Sequence, residues 1–294
     1  MKRIAYIAAL VLFVSCSKEA EFDAQGTFEA TEITVSAEVA GRILGLDIEE
    51  GMETRAGEVI GTIDSVQLHL QRKQLQAQLA ALLASRPDIK AQVASLRRQI
   101  AKQQNELKRV GNMLRDGAAT TKQRDDIEAQ IHILEDQLTA TLSTLDKNIT
   151  TINGNAAALE AQINALDDLV SKCYVKSPAD GTVLVKYAHA GEMTAAGKPL
   201  MKIADLKRMY LRAYFTSEQL SQVKIGDTVT VTADFGGDER YDYEGTITWI
   251  AAESEFTPKN IQTRDSRANM VYAVKIAVNN DGRLKIGLAG EVKL

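Results

Sequence analysis

From Val66 to Leu114 apolar residues recur at Leu75, Leu79, Leu82, Ile89, Val93, Leu96, Ile100, Leu107, Val110 and Leu114. With Arg86 and Gln103 filling two further places, the steps alternate between four and three, which is a heptad seam. A second seam runs through Ile127, Ile131, Leu134, Leu138, Leu142, Leu145, Ile149, Ile152, Ala156, Leu159, Ile163, Leu166 and Val170. Two successive steps of four at Leu134, Leu138 and Leu142 insert a stutter, where the supercoil should unwind locally. Between the seams lies the short run Arg115-Asp-Gly-Ala-Ala-Thr-Thr-Lys122. Gly117 supplies a helix stop, Thr120 or Thr121 an N-cap, and Asp125 and Asp126 sit near the positive end of the returning helix. So short a connection forces antiparallel helices. The pattern predicts a coiled-coil hairpin over residues 65–172 with its tip about 115–122 and arms reaching about 75 Å, at about 1.5 Å per residue. Pro87 removes a helical amide from the first arm, and Asn148, Gly154 and Asn155 weaken the second. Pro87 and Gly154 therefore mark a possible kink or hinge, the alternative being that Pro87 opens a second helix.

Outside the hairpin the period changes to two, and one motif occurs twice. Its first copy runs Glu38-Val-Ala-Gly41-Arg-Ile43, Gly51-Met52, Ala56-Gly57 and Val59-Ile-Gly-Thr-Ile-Asp64. Its second runs Pro178-Ala-Asp-Gly181-Thr-Val183, Gly191-Glu-Met193, Ala196-Gly197 and Pro199-Leu-Met-Lys-Ile-Ala-Asp205. Glycines fall where turns need positive φ or close backbone approach, with strand residues alternating around them. Residues 31–64 and 173–206 should therefore pack as two halves of one β-sandwich. Beyond them Met209–Phe215, Thr228–Ala233, Tyr241–Ile250 and Val271–Val278 read as strands. With a short helix after Thr216, they predict a small antiparallel barrel over 207–294.

The repeated motif resembles the half-motifs of biotinyl and lipoyl carrier domains, split as in the HlyD-type periplasmic adaptor (membrane fusion protein) family. The resemblance implies a mixed α and β, elongated modular fold: a split lipoyl-like β-sandwich with a long antiparallel coiled-coil α-hairpin inserted, plus a small antiparallel β-barrel. A carrier domain would present an acceptor lysine at the hairpin joining its halves; here the helical insertion replaces that hairpin, so no cofactor is expected. Arg109, Met113-Leu114, Gly117-Ala118, Thr120 and Asp125 look like the hairpin-tip pattern of adaptors that dock onto TolC-like outer-membrane channels. In the family's usual pattern Leu-Leu and Ser stand where this chain has Met113-Leu114 and Thr120. Glu253-Ser-Glu-Phe-Thr-Pro-Lys-Asn-Ile-Gln-Thr263, ending near Arg267, is similar to a loop of adaptors paired with ABC-type exporters. The resemblance thus implies a non-enzymatic adaptor between an inner-membrane transporter, ABC type or alternatively RND type, and an outer-membrane channel. It also implies a homo-oligomer, hexameric in the family's usual form. The alternatives are a structural envelope lipoprotein spacer or a biotinyl or lipoyl carrier subunit.

Lys2-Arg3, the apolar run Ile4 to Val14 and Ser15-Cys16-Ser17 read as a signal peptide over 1–15, too short for a comfortable membrane span. Cys16 stands where a bacterial lipoprotein is lipidated, with Phe13 in place of the usual Leu. Residues 16–30 would then be a tether to the membrane, the inner one favoured, in the periplasm of a Gram-negative bacterium. Among 294 residues the net charge is −4 and no clustered basic face suggests nucleic acid. Once Cys16 is used, Cys173 has no partner for a disulfide and reads as a buried, inert thiol. His69, His132 and His189 are too scattered for a metal cluster, and no Ser-His-Asp set or phosphate-binding loop is present.

Overall fold

The computed structural model describes residues 22–236, 239–256 and 270–294. The expected signal peptide, Cys16 and most of the segment from Glu253 to Arg267 lie outside the described residues. The chain divides into two compact units, one made of residues up to Thr62 together with Val175–Leu294, the other of Ile63–Tyr174.

In the first unit the strands are β1 Ala24–Ser36, β2 Gly41–Gly45, β3 Glu53–Thr54, β4 Val59–Ile63, β5 Tyr174–Lys176, β6 Gly181–Lys186, β7 Met193–Thr194 and β8 Pro199–Thr216. They are followed by the one-turn helix Ser217–Leu220, then β9 Thr228–Asp234, β10 Arg240–Ile250, β11 Glu255–Phe256, β12 Met270–Asn279 and β13 Ala289–Lys293. A small sandwich pairs the order β1-β8-β6-β3 with a second sheet, β5-β4-β2-β7. Exchanging the two half-motifs, β1 for β5, β2 for β6, β3 for β7 and β4 for β8, turns the first order into the second. The hydrogen bonds obey the same exchange. Gly51 N donates to Val183 O and Gly191 N to Ile43 O, at 2.8 and 2.7 Å. Gly57 N donates to Ser177 O and Gly197 N to Ala37 O, both at 2.8 Å. Gly51 and Gly191 hold φ of 88° and 92°, which a side chain would resist, so the paired glycines are a turn requirement. The core repeats too: Ile43 with Val183, Ile60 with Leu200 and Ile63 with Ile203 are all buried.

The barrel is closed. β1 pairs with both β13 and β8, β8 with β12, β12 with β10, β10 with β9 and β9 with β13, every pair antiparallel. Closure leaves these strands no open edge along the paired stretch. Phe28, Met209, Leu211, Phe215, Val231, Ile247, Ile276 and Val292 fill the interior. Two expectations need correction here. Residues 24–30 are not tether but the first stave of the barrel: Ala24, Gly26 and Phe28 alternate inward in a run whose polar residues face out. The two strands expected around Asp205 are one strand, β8, which pairs with β1 through both the sandwich and the barrel.

In the second unit the helices are α1 Val66–Ala84, α2 Ile89–Arg115 and α3 Thr121–Lys172. Every seam position named above is buried or half-buried except Arg86, which is exposed and donates to Asn153 Oδ1 at 2.7 Å. The first arm is two helices, so the alternative reading of Pro87 is the one realised. Pro87 offers no amide and disfavours helix at the residue before it. The Asp88 carboxylate then accepts from Ala91 N at 3.0 Å and caps a fresh helix. The second arm runs unbroken through Asn148, Gly154 and Asn155. A mid-helix glycine costs about 1 kcal/mol, less than burying the adjacent Ala156 and the half-buried Ile152 returns to an arm packed along its length.

Candidate functional site: the hairpin tip

The turn between α2 and α3 is stopped and restarted by its own residues. Gly117, at φ 73°, donates its amide to Leu114 O at 3.1 Å, and Ala118 donates to Met113 O at 2.8 Å. These two bonds make a Schellman stop, satisfying carbonyls that the end of α2 would otherwise leave bare. Thr120 rather than Thr121 caps α3. Its Oγ1 accepts from Gln123 N at 3.3 Å while the Gln123 side chain accepts from Thr120 N at 2.9 Å, a reciprocal capping box. The tip is thus rigid at its backbone, which leaves its side chains as the variable part.

Of the residues expected to dock, Arg109, Gly117, Ala118, Thr120 and Asp125 are exposed. Leu114 is half-buried in the seam, whereas Met113 keeps 39% of its surface in water. Arg109 and Met113 stand four residues apart, so they share one face of the last turns of α2. Met113 is therefore the apolar member of that face; the seam spacing already assigned Leu114 inward and so pointed to its neighbour. Arg109 and Asp125 are not brought together. Arg109 pairs with Glu106 one turn back, whose hydrogen bond and charge hold the guanidinium pKa above its ordinary value. Asp125 accepts from the Arg124 guanidinium at 2.7 and 3.1 Å. Both pairs are solvent-exposed, and such pairs contribute about 0–1 kcal/mol each, so either partner can be given up to another molecule at little loss.

The remaining candidates sort by surroundings. Cys173 is buried, and burial foremost, with the Asp64 charge second, pushes its thiol up, away from a reactive thiolate. Glu255 is held by Arg212 at 3.1 Å, tying β11 to β8. Among the described residues no cluster of His, Cys, Asp and Glu could hold a metal ion, and no helix is long and apolar enough to cross a membrane. A groove of about 1270 Å³ opens where β1 and β8 pass from sandwich to barrel, lined by Thr31, Glu53, Asp180, Asp205, Lys207 and Arg208 among others. At that joint the β1–β8 register shifts between Ala30 and Glu32. Asp205 accepts there from Lys207 N at 3.0 Å, Arg208 N at 3.4 Å and Arg208 Nε at 3.0 Å.

No protein-family model matches the chain. In sequence it is 28% identical over 294 residues to the UPF0194 membrane protein YbhG of Salmonella gallinarum, across 91% of this chain and 87% of that one. In structure it is similar to MacA from Actinobacillus actinomycetemcomitans, with a TM-score of 0.56 and 20% identity over 92% of this chain and 76% of MacA. It is also similar to the membrane fusion protein Spr0693 of Streptococcus pneumoniae R6, with a TM-score of 0.50 and 18% identity over 92% of this chain and 96% of that one.

Proposed function

We propose that this chain, a member of the HlyD-type periplasmic adaptor (membrane fusion protein) family, links an inner-membrane exporter to a TolC-like outer-membrane channel as a non-catalytic part of a tripartite efflux or secretion system. The observation that carries the reading is the tip: a helical hairpin stopped by a Schellman pair and restarted by a capping box, presenting Arg109 and Met113 outward on the last turns of α2 and Thr120 outward where α3 begins. An exposed Arg beside an apolar side chain on a small-residue turn suits insertion between the helices of a channel end, whose carbonyls a guanidinium can cap. Cys16 would carry the lipid that anchors the chain to the inner membrane from the periplasmic side. The exporter would be of the ABC type, on the strength of the segment from Glu253 to Thr263, with an RND-type pump the other choice. Several copies, six in the family's usual form, would ring together, since one hairpin cannot line a conduit.

Motion would pass through joints rather than chemistry, the break at Pro87 and the Asp205 bulge being the places where regular structure is interrupted. The test is a mild crosslink in intact cells followed by purification, run beside an Arg109→Ala, Asp125→Ala double variant. Recovery of a transporter and a channel from the parent chain, with the channel alone lost from the variant, is the expected result. Recovery of neither from the parent would replace the adaptor with an envelope spacer.

A further inference from the structure

The six barrel strands alternate in direction, so one end of the barrel gathers the starts of β1, β9 and β12 with the ends of β8, β10 and β13. Large apolar side chains stand in water at that end. Ile225, in the turn leading into β9, keeps 65% of its surface exposed, and Phe256, at the end of β11, keeps 81%. Phe256 pairs with Met270, also exposed, one pair beyond Val271, which lies opposite Thr216, the last residue of β8. Trp249, the only tryptophan of the chain, is exposed at the last place but one of β10. The Ile225 turn runs beside it, since Gly226 N donates to Ile247 O at 2.8 Å. Lys275 Nζ stands 5.8 Å from the Trp249 ring centroid. At the opposite end of the barrel the comparable aromatic is Tyr241, and the chain covers it itself. The Arg283 guanidinium lies 4.5 Å from its centroid and Phe235 meets it edge-on at 5.5 Å. Single exposed apolar residues are ordinary, whereas several gathered at one end mark a contact surface.

We propose that this end of the barrel docks on a lipid bilayer, with Ile225, Phe256 and Met270 entering the acyl boundary and Trp249 and Lys275 resting at the headgroups. The occupant follows from where the N-terminal stretch joins the barrel. Asp23 N donates to Val292 O at 2.8 Å, which brings that stretch in at this same end. Seven residues separate Asp23 from Cys16, and seven residues reach at most about 25 Å. With Cys16 acylated, the apolar rim is held close to lipid, where burying Ile and Phe side chains is favourable. The proposal rests on that reading of Cys16 and adds that the barrel itself sits in the bilayer surface. Trp and Lys suit the boundary, each pairing an apolar body with a polar end. Charge does not drive the contact. The exposed Asp23, Glu218, Asp227 and Glu253 outnumber the exposed Lys224 and Lys293 at this end. Attachment is therefore by apolar insertion, and the face differs in kind from a polybasic patch that seeks anionic headgroups.

The test uses the full chain as purified from membranes, placed in phosphatidylcholine vesicles whose acyl chains are brominated. Because Trp249 is the sole tryptophan, its emission reports on this end of the barrel alone. Quenching by the brominated lipid, relative to plain vesicles, is expected. In a Trp249→Phe, Phe256→Trp chain the probe moves to the outermost position, and stronger quenching with emission at shorter wavelength should follow. Ile225→Asp and Phe256→Asp should each remove most of the Trp249 quenching and leave the melting temperature unchanged, since both positions are exposed; Ile225→Leu should keep it. Adding an anionic lipid should not increase the quenching. Emission unaffected by bromine in a chain that sediments with the vesicles would overturn the proposal, as would quenching that appears only with anionic lipid. Crosslinked cells in which Ile225→Asp loses the transporter, with Trp249 quenching intact in vesicles, would make this end a protein-binding face and overturn it too. Mass measurement of the same preparation separates the two readings. An acylated chain without quenching would remove the docking face and keep the anchor; a quenched chain without acyl groups would do the reverse.

Discussion

Thr54 and Thr194 occupy equivalent places in the two half-motifs, and both are buried. Their surroundings differ by one charge. Glu58 follows Thr54 and accepts its hydroxyl at 3.4 Å, whereas the equivalent residue after Thr194 is Lys198, whose Nζ turns to Met193 O at 3.2 Å. Thr194 Oγ1 is left without a partner. A buried hydroxyl without a hydrogen bond is destabilising by about 1–3 kcal/mol, so Thr194→Val should raise the melting temperature. Thr54→Val should lower it or leave it level. Thermal unfolding of the two variants side by side checks this, and a loss at Thr194 equal to that at Thr54 would contradict it. The repeat in the sequence announces the equivalence of the two positions; which of them lacks a partner depends on where the Lys198 side chain turns.

At the scale of elements, the first arm begins twice because of one carboxylate. Asp88→Ala should destabilise the hairpin by about 1 kcal/mol, the usual worth of an N-cap, read as lost helical circular dichroism at a lower denaturant concentration. The heptad spacing shows that a helix resumes after Pro87 but is continuous across it, so spacing alone reads as one helix what the capping geometry divides into two. The β1–β8 joint makes a different prediction. Burial works to raise the Asp205 carboxyl, and its bonds from Arg208 and from the Lys207 and Arg208 amides outweigh that and hold it below the usual carboxylate value. A group whose folded pKa is lowered stabilises fully above its unfolded pKa, about 3.9, and loses that contribution as pH falls through the folded value. Urea unfolding followed by Trp249 fluorescence should therefore show an acid-sensitive component in the parent that Asp205→Asn lacks. Parallel pH profiles for the two chains would count against it.

For the whole molecule, closure of the barrel depends on contact as close as backbone allows. A Cβ added at Gly26 would stand 2.0 Å from Arg212 O and 2.6 Å from Ala213 Cα, atoms that cannot step aside without breaking the β1–β8 ladder. Gly26→Ala should thus destabilise by several kcal/mol, about the upper range for overpacking, and open the barrel where β1 joins it. Loss of the protease resistance of β1 at neutral pH measures this directly; retained resistance with normal melting would refute it. A chain that fails at Gly26 should keep its helical signal, since the hairpin forms a separate compact unit.

The hairpin and the doubled motif were readable from spacing because their causes are local or periodic. A seam needs only apolar side chains every three or four residues, a Schellman stop only a glycine, and two similar halves need only to repeat. The sequence by itself therefore determined the arms, the turn, the paired half-motifs and the outward Arg109. What the tertiary structure decided was everything that depends on pairing between distant residues. It made Ala24–Ala30 a barrel strand instead of tether, carried β8 through two modules and placed β13 between β1 and β9. Strand partners are chosen by which edges remain unsatisfied once the rest of the sheet has formed, and that choice leaves no period in the chain that makes it.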